Sequence, residues 1–338
     1  MTQQLELEAS RAIFEARSRI VDDAVERQYR RGPELVGQQV PIHLDYLAES
    51  LAMAQPALFA DYVEWARVGV ADLGVTLGCL GEALQAILGK LVANPALEYL
   101  QAGLRQLAVS PRGVETFLRA DQPLAELAGQ YWTNLLAGER QVASRLITEA
   151  VAGGVSVEDV YLQIFQPCQR ELGRLWHLNQ ISVAQEHYCT AATQLIMSQL
   201  YPYLFAGERI DRTLVATCIS GDMHEVGVRI VADMFELKGW DTYYLGANTP
   251  LEGIVQSVRD HRADVLAISV TYTPNLRQVK DLIGRLRAES ECTGLKILVG
   301  GYPFNVAPTM WREIGADGWA HDAVGAVELA NRLMLTRA

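Results

Sequence analysis

The chain has 338 residues, half of them hydrophobic and a fifth charged, which is a globular composition and sets an expectation of two to three domains. Its formal net charge of −11 repels a phosphate backbone and argues against general nucleic-acid binding. No apolar run reaches the roughly 18 residues of a membrane span. The N-terminus MTQQLELEAS has no basic stretch followed by an apolar one, so no signal peptide is expected. The five cysteines, at 79, 168, 189, 218 and 292, form no C-x-x-C; they point to a reducing cytoplasm, with neither a disulfide framework nor a cysteine zinc site.

Residues 1–118 read as an all-helical N-terminal domain. Leu44, Leu47 and Leu51 form a helical stripe, and Pro56 is placed to open a helix in PALFADYVEWARVGVADLG. Gly74 and Asn94-Pro95 are expected helix stops. His43 is the only histidine here and is expected to be packed or capped. RQYRRG at 27–32 is a short charged face, and no basic recognition helix accompanies it.

Residues 119–206 predict a four-helix bundle, with segments near 121–137, 139–152, 156–176 and 182–202. Ser156 is a candidate N-cap, and Ser182 with Gln185 makes a capping-box pattern.

Residues 211–338 change texture. Short apolar runs at 214–220, 241–246, 265–270, 296–300 and 318–320 alternate with helical segments, as in a parallel sheet covered on both faces. The expected fold is therefore α plus α/β: a helical domain, a four-helix bundle cap, then a doubly wound, five-stranded Rossmann- or flavodoxin-like domain.

Ligands of such sheets bind beyond the carboxyl ends of the strands. There, in place of a glycine-rich phosphate loop, stands Gly221-Asp222-Met223-His224-Glu225-Val226-Gly227. A loop imidazole can offer one nitrogen to a metal while a carboxylate takes the proton of the other. Gly227 would let the next helix approach closely. A solvated histidine beside a helix-capping aspartate explains the same residues equally well. Ser269 and Thr271 at the end of the third strand, and Gly300-Gly301 at the end of the fourth, tip the balance, because small residues at adjacent strand ends leave a slot.

Asp222-x-His224-x-x-Gly227, then Ser269-x-Thr271, then Gly300-Gly301 resembles the cobalamin-binding domain of methionine synthase, the corrinoid methyl carriers and the base-off mutases. The resemblance covers about 211–338, and Gly315-Ala316-Asp317-Gly318 also fits it. It implies that His224 is the lower cobalt ligand, Asp222 its hydrogen-bonding partner and Ser269 a support of the same relay. Gly300 and Gly301 would line the nucleotide tail of the cofactor.

Upstream, Trp176-His177 and Glu186-His187 lie at the ends of two successive helices joined by a short link. This spacing resembles the cap of light-sensing cobalamin regulators of the CarH and LitR type. The resemblance implies that Trp176 covers an adenosyl group and Glu186 hydrogen-bonds the adenosine. His177 would take the upper cobalt position after light cleaves the cobalt–carbon bond, and His187 belongs to the same motif. Those regulators begin with a DNA-binding domain, whereas this chain begins with acidic helices. The layout is more similar to photocobilins, which hold cobalamin and biliverdin. Tyr131, Trp132, Arg140 and Arg145 are available to a linear tetrapyrrole, though none is diagnostic.

The leading expectation is therefore a non-enzymatic, light-sensing signalling protein binding adenosylcobalamin, with biliverdin as a second chromophore. Its expected partners are an unidentified signalling protein and further copies of itself, without nucleic acid or membrane. The alternative is a corrinoid methyl carrier serving methyltransferases. A self-contained mutase is disfavoured, because the region ahead of the cap is too short for a substrate barrel of about 250 residues.

Overall fold

The computed structural model describes residues 2–32, 39–70, 72–109, 115–205 and 207–335, so the expected bundle boundary at 206 lies outside the described residues. Five parallel strands form the sheet: β1 (Thr213–Ile219), β2 (Asp241–Thr249), β3 (Val265–Ser269), β4 (Lys296–Gly300) and β5 (Gly318–Trp319), in the order β2-β1-β3-β4-β5. β1 is buried along almost its whole length, as a central strand covered on both faces must be. The chain leaves β1 toward one edge and returns through β3 toward the other. The crevice between the ends of β1 and β3 is therefore the switch point at which such sheets bind ligands.

Helices Val226–Leu237 and Ala323–Leu335 cover one face of the sheet, and Leu251–Asp260 and Leu276–Ala288 cover the other. The bundle is built from Ala125–Leu136, Arg140–Ala152, a run through Val157–Asp159 and Gln166–His177, and Val183–Gln199. A six-residue π-type segment, Val160–Phe165, interrupts the third member and carries Tyr161, whose hydroxyl donates to Asp233 of the sheet domain at 2.8 Å. Bundle and sheet share one apolar core on this side, which contains Tyr131, Phe165, Phe235 and Trp240.

Local sequence chemistry accounts for the helix starts. The Ser156 hydroxyl accepts the Asp159 N–H at 3.0 Å, and Ser182 with Gln185 forms a reciprocal capping box. The N-terminal region contributes Thr2–Glu15, Arg17–Arg31, Val40–Ala52, Pro56–Ala66 and Leu73–Leu107 around a core of its own. Gly74 is not a stop; it lies in the first turn of the last of these helices. That helix breaks at Gly89, where φ is 74°, rather than at Asn94-Pro95, because a left-handed residue cannot continue the spiral. Met53 and Leu58 leave the N-terminal core and pack into the far face of the sheet.

Candidate functional site

The loop from β1 into Val226–Leu237 is shaped by Gly221, whose φ of 83° turns the backbone. Asp222 is fully buried there. One carboxylate oxygen accepts from the His224 ring Nδ1 at 2.9 Å and from the His224 N–H at 3.1 Å, and the other accepts from the Thr271 N–H at 2.6 Å. Burial alone would push the Asp222 carboxyl up. The hydrogen bonds from the His224 ring, the Thr271 N–H and the His224 N–H outweigh it and hold the carboxyl below the ordinary carboxylate range.

Donation from Nδ1 to Asp222 fixes the tautomer and leaves Nε2 with the lone pair. The His224 side chain is 48% exposed, and its ring meets Tyr272 edge-on at 4.9 Å. A buried carboxylate thus aims a half-exposed imidazole at the crevice. Among the described residues, no group of three or more His, Cys, Asp and Glu could hold a metal ion. His224 offers a single ligand, so a metal there must bring its other ligands with it, as a metallated macrocycle does. The donor set fits such a group.

Two residues of the sequence motif act differently from expectation. Gly227 does not serve a close helix approach, because a Cβ built there would meet nothing within 4 Å; its smallness leaves open space at the start of the helix. Ser269 makes no hydrogen bond to Asp222 among the described residues. The relay runs through the backbone N–H of Thr271 instead, since Ser269 is still paired within the strands, opposite Gly300 and Cys218. Gly301, with φ 97°, passes so close to the Val270 backbone that any side chain would collide with its carbonyl. Asp317 accepts the Ile297 N–H at 2.7 Å and pairs with Arg287, so it ties β4 to the approach to β5.

The cap residues take separate partners. Trp176 is partly exposed at the end of its helix. His177 stacks on Trp65 at 4.9 Å with 10° between the planes, and its Nε2 lies 2.8 Å from the Trp65 carbonyl oxygen. Glu186 accepts the Thr190 hydroxyl at 2.7 Å and lies 3.6 Å from the exposed His187 ring. Of the suggested tetrapyrrole contacts, Tyr131 is fully buried in the bundle core with its hydroxyl on Thr193, and Trp132 packs against that core. Arg140 and Arg145 line a surface groove with Leu195 and Ile196.

Residues 212–328 match the B12 binding domain family. A second family model, also described as a B12 binding domain, matches residues 127–201. The architecture is that of a B12-binding module, a helical cap ahead of a five-stranded Rossmann-like sheet, and the two matches support a cobalamin-type corrinoid as its cofactor.

The chain is 27% identical over 206 residues to a corrinoid protein of Desulfitobacterium hafniense, covering 59% of this chain and 94% of that one. It is 28% identical over 209 residues to monomethylamine corrinoid protein 1 of Methanosarcina acetivorans, covering 60% and 95%. The monomethylamine corrinoid protein structure of Methanosarcina barkeri superposes with a TM-score of 0.55 at 26% identity, over 63% of this chain and all of that one.

These relatives overturn the resemblance to light-sensing regulators and photocobilins. Proteins matched over nearly their whole length are corrinoid proteins, so the photoreceptor, light-sensing and signalling expectations are corrected. The geometry agrees with the correction. The His177 nitrogen proposed for the upper cobalt position is held on Trp65, and Tyr131 is enclosed in core rather than presented to biliverdin. Sequence reasoning missed Glu225, Gln194, Tyr272 and Trp65. Glu225, adjacent to His224, and Tyr272, adjacent to Thr271, carried a local signal.

Proposed function

We propose that this chain is a corrinoid-dependent methyl carrier: a non-enzymatic protein that holds a cobalamin with its nucleotide base displaced and presents it to partner methyltransferases. The observation that carries this reading is the buried Asp222 holding Nδ1 of the half-exposed His224 at 2.9 Å, at the switch point of a sheet that matches the B12 binding domain. The corrinoid relatives supply the direction of the chemistry.

When bound, a corrinoid would supply a cobalt centre able to take up and give up a methyl group. The chain's own contribution is binding and orientation. His224 would be the lower ligand through Nε2. Asp222 would keep its Nδ1 protonated and raise the basicity of the ring. Gly300 and Gly301 would line the path of the nucleotide tail. Trp176, Glu186 and His187 would belong to the cap side of the same crevice.

The test is a cobalt(II) paramagnetic resonance spectrum of the loaded protein, with and without heavy-nitrogen labelling of its histidines. Labelling should change the nitrogen splitting of the cobalt signal in the native chain, and the change should vanish in His224→Ala. A splitting indifferent to labelling would mean that the cofactor's own base stays on the metal, and the lower-ligand reading would be lost. Methyl transfer onto the reduced, loaded protein by a corrinoid-dependent methyltransferase and its methylated substrate would establish the carrier role. Failure across a panel of such enzymes would remove it.

A further inference from the structure

Both family matches begin at residue 127 or beyond, so the helices before the bundle stand outside the carrier machinery described above. Their position nevertheless relates to it. The helix Val40–Ala52 packs on the turn Thr273–Asn275, which directly follows Tyr272, the residue that meets the His224 ring. Its Glu49 is almost fully buried and takes the Arg277 N–H at 2.5 Å and the Arg277 Nε at 2.9 Å, while that guanidinium lies 3.5 Å over Phe14. Tyr302, just beyond Gly301, donates to Asp61 at 3.1 Å. Together with Met53 and Leu58 in the sheet core, this is a broad attachment, buried at Glu49, Met53 and Leu58.

The attachment to the bundle is of another kind. From Tyr46 a run of rings crosses the N-terminal helices: Tyr46 stacks on Tyr62 at 3.8 Å, Tyr62 faces Trp65 at 6.2 Å, and Trp65 stacks on His177 at 4.9 Å. At one end Tyr46 sits on the helix Val40–Ala52, which packs on the turn that follows Tyr272, and burial raises its hydroxyl pKa. At the other end the run stops at His177, on a helix of the cap, where both rings are solvent-accessible. The N-terminal helices therefore touch both walls of the crevice, firmly on the sheet side through Glu49 and lightly on the cap side through Trp65.

We infer that the N-terminal helices form a third wall of the corrinoid crevice, presented by Tyr46 and Trp65 with buried Tyr62 packed between them, and that the Trp65–His177 contact is the latch released when a partner protein reaches the cofactor. The inference rests on the carrier reading. It makes His177 a latch residue rather than a metal ligand.

The experiment loads the full-length chain with hydroxocobalamin and follows, by stopped-flow absorbance, the rate at which added cyanide reaches the bound cobalt. Trp65→Ala removes the stacked ring and leaves the backbone carbonyl, whereas His177→Ala removes the stack and the hydrogen bond together. Both should accelerate cyanide entry by about tenfold, the factor expected for losing one modest contact. The starting spectrum of the loaded protein should not change. Rates within about twofold of the native chain in both variants would overturn the wall, since a twofold change is smaller than the loss of such a contact. An altered starting spectrum in His177→Ala alone would overturn the latch role and make the residue a direct contact of the cofactor. A chain that takes up no hydroxocobalamin would defeat the carrier reading and the wall with it, whereas uptake with unchanged rates defeats the wall alone.

Discussion

Gln194 of the bundle donates its side-chain amide to the carboxylate of Glu225, the residue after His224, at 2.9 Å. The other oxygen of that carboxylate accepts the Tyr244 hydroxyl at 2.9 Å and the Ala247 N–H at 3.0 Å, both from β2. Gly246 makes room for it, since a Cβ there would sit 3.1 Å from Glu225 Oε2. Cap and edge strand thus converge on the neighbour of the proposed lower ligand. Glu225→Ala leaves three donors without their acceptor and should cost about 2–3 kcal/mol of stability, while Gln194→Leu should cost about 1 kcal/mol. Urea denaturation measures both. Equal costs would show that the contact with the cap, and not the strand, dominates.

Asp222 has a separate role. Asp222→Ala unties the imidazole and strands the Thr271 N–H, so affinity for hydroxocobalamin should fall by roughly 10- to 100-fold, the usual cost of losing a residue that orients a metal ligand. Asp222→Asn keeps an acceptor and should fall between the native chain and the alanine variant. Titration followed by absorbance decides it, and native affinity in the alanine variant would show that His224 needs no orienting partner.

His43 gives the fold an acid sensitivity. Burial depresses its pKa to about 4 from the ordinary 6.5, and its Nδ1 lies 2.5 Å from the Tyr62 hydroxyl. The unfolded chain therefore binds the proton more readily than the folded one. Stability from this group is complete above about pH 6.5 and is lost as pH falls toward 4, by up to about 3 kcal/mol. Thermal melts of the native chain and His43→Gln across that range should converge at the acid end. Parallel curves would mean that His43 does not titrate with folding.

Gly301 should tolerate no side chain. Its φ of 97° and its contact with the Val270 backbone mean that Gly301→Ala must either shift β3 or open the turn after β4. A loss of about 3 kcal/mol or more is expected by denaturant titration. A loss below about 1 kcal/mol would show that the crossing can relax.

Much of this architecture can be read from short-range chemistry. The caps at Ser156 and Ser182 join residues three apart, and the strands announce themselves as apolar, β-branched runs. The pairing of Asp222 with His224 is equally local, two residues apart on a loop. What the sequence conceals is long-range. Trp65 and His177 are 112 positions apart, and Glu49 and Arg277 are 228 apart, so neither contact leaves a periodicity or a spacing to detect. The Trp176-His177 and Glu186-His187 pattern misled for the same reason. Its spacing brings two helix ends together but does not specify that an aromatic ring from a distant helix will occupy His177. At Gly89, one residue's freedom to adopt positive φ outranked the more conspicuous Asn94-Pro95.

Asp222 is anchored by an amide just beyond β3, and among the described residues its carboxylate's hydrogen bonds come from His224 and Thr271, both of the sheet domain. The hydrogen bonds that set the bearing of the His224 ring thus come from the sheet domain. Whatever swings aside overhead, successive visitors would find the same footing beneath the reactive centre, as travellers changing trains find a platform that stays put.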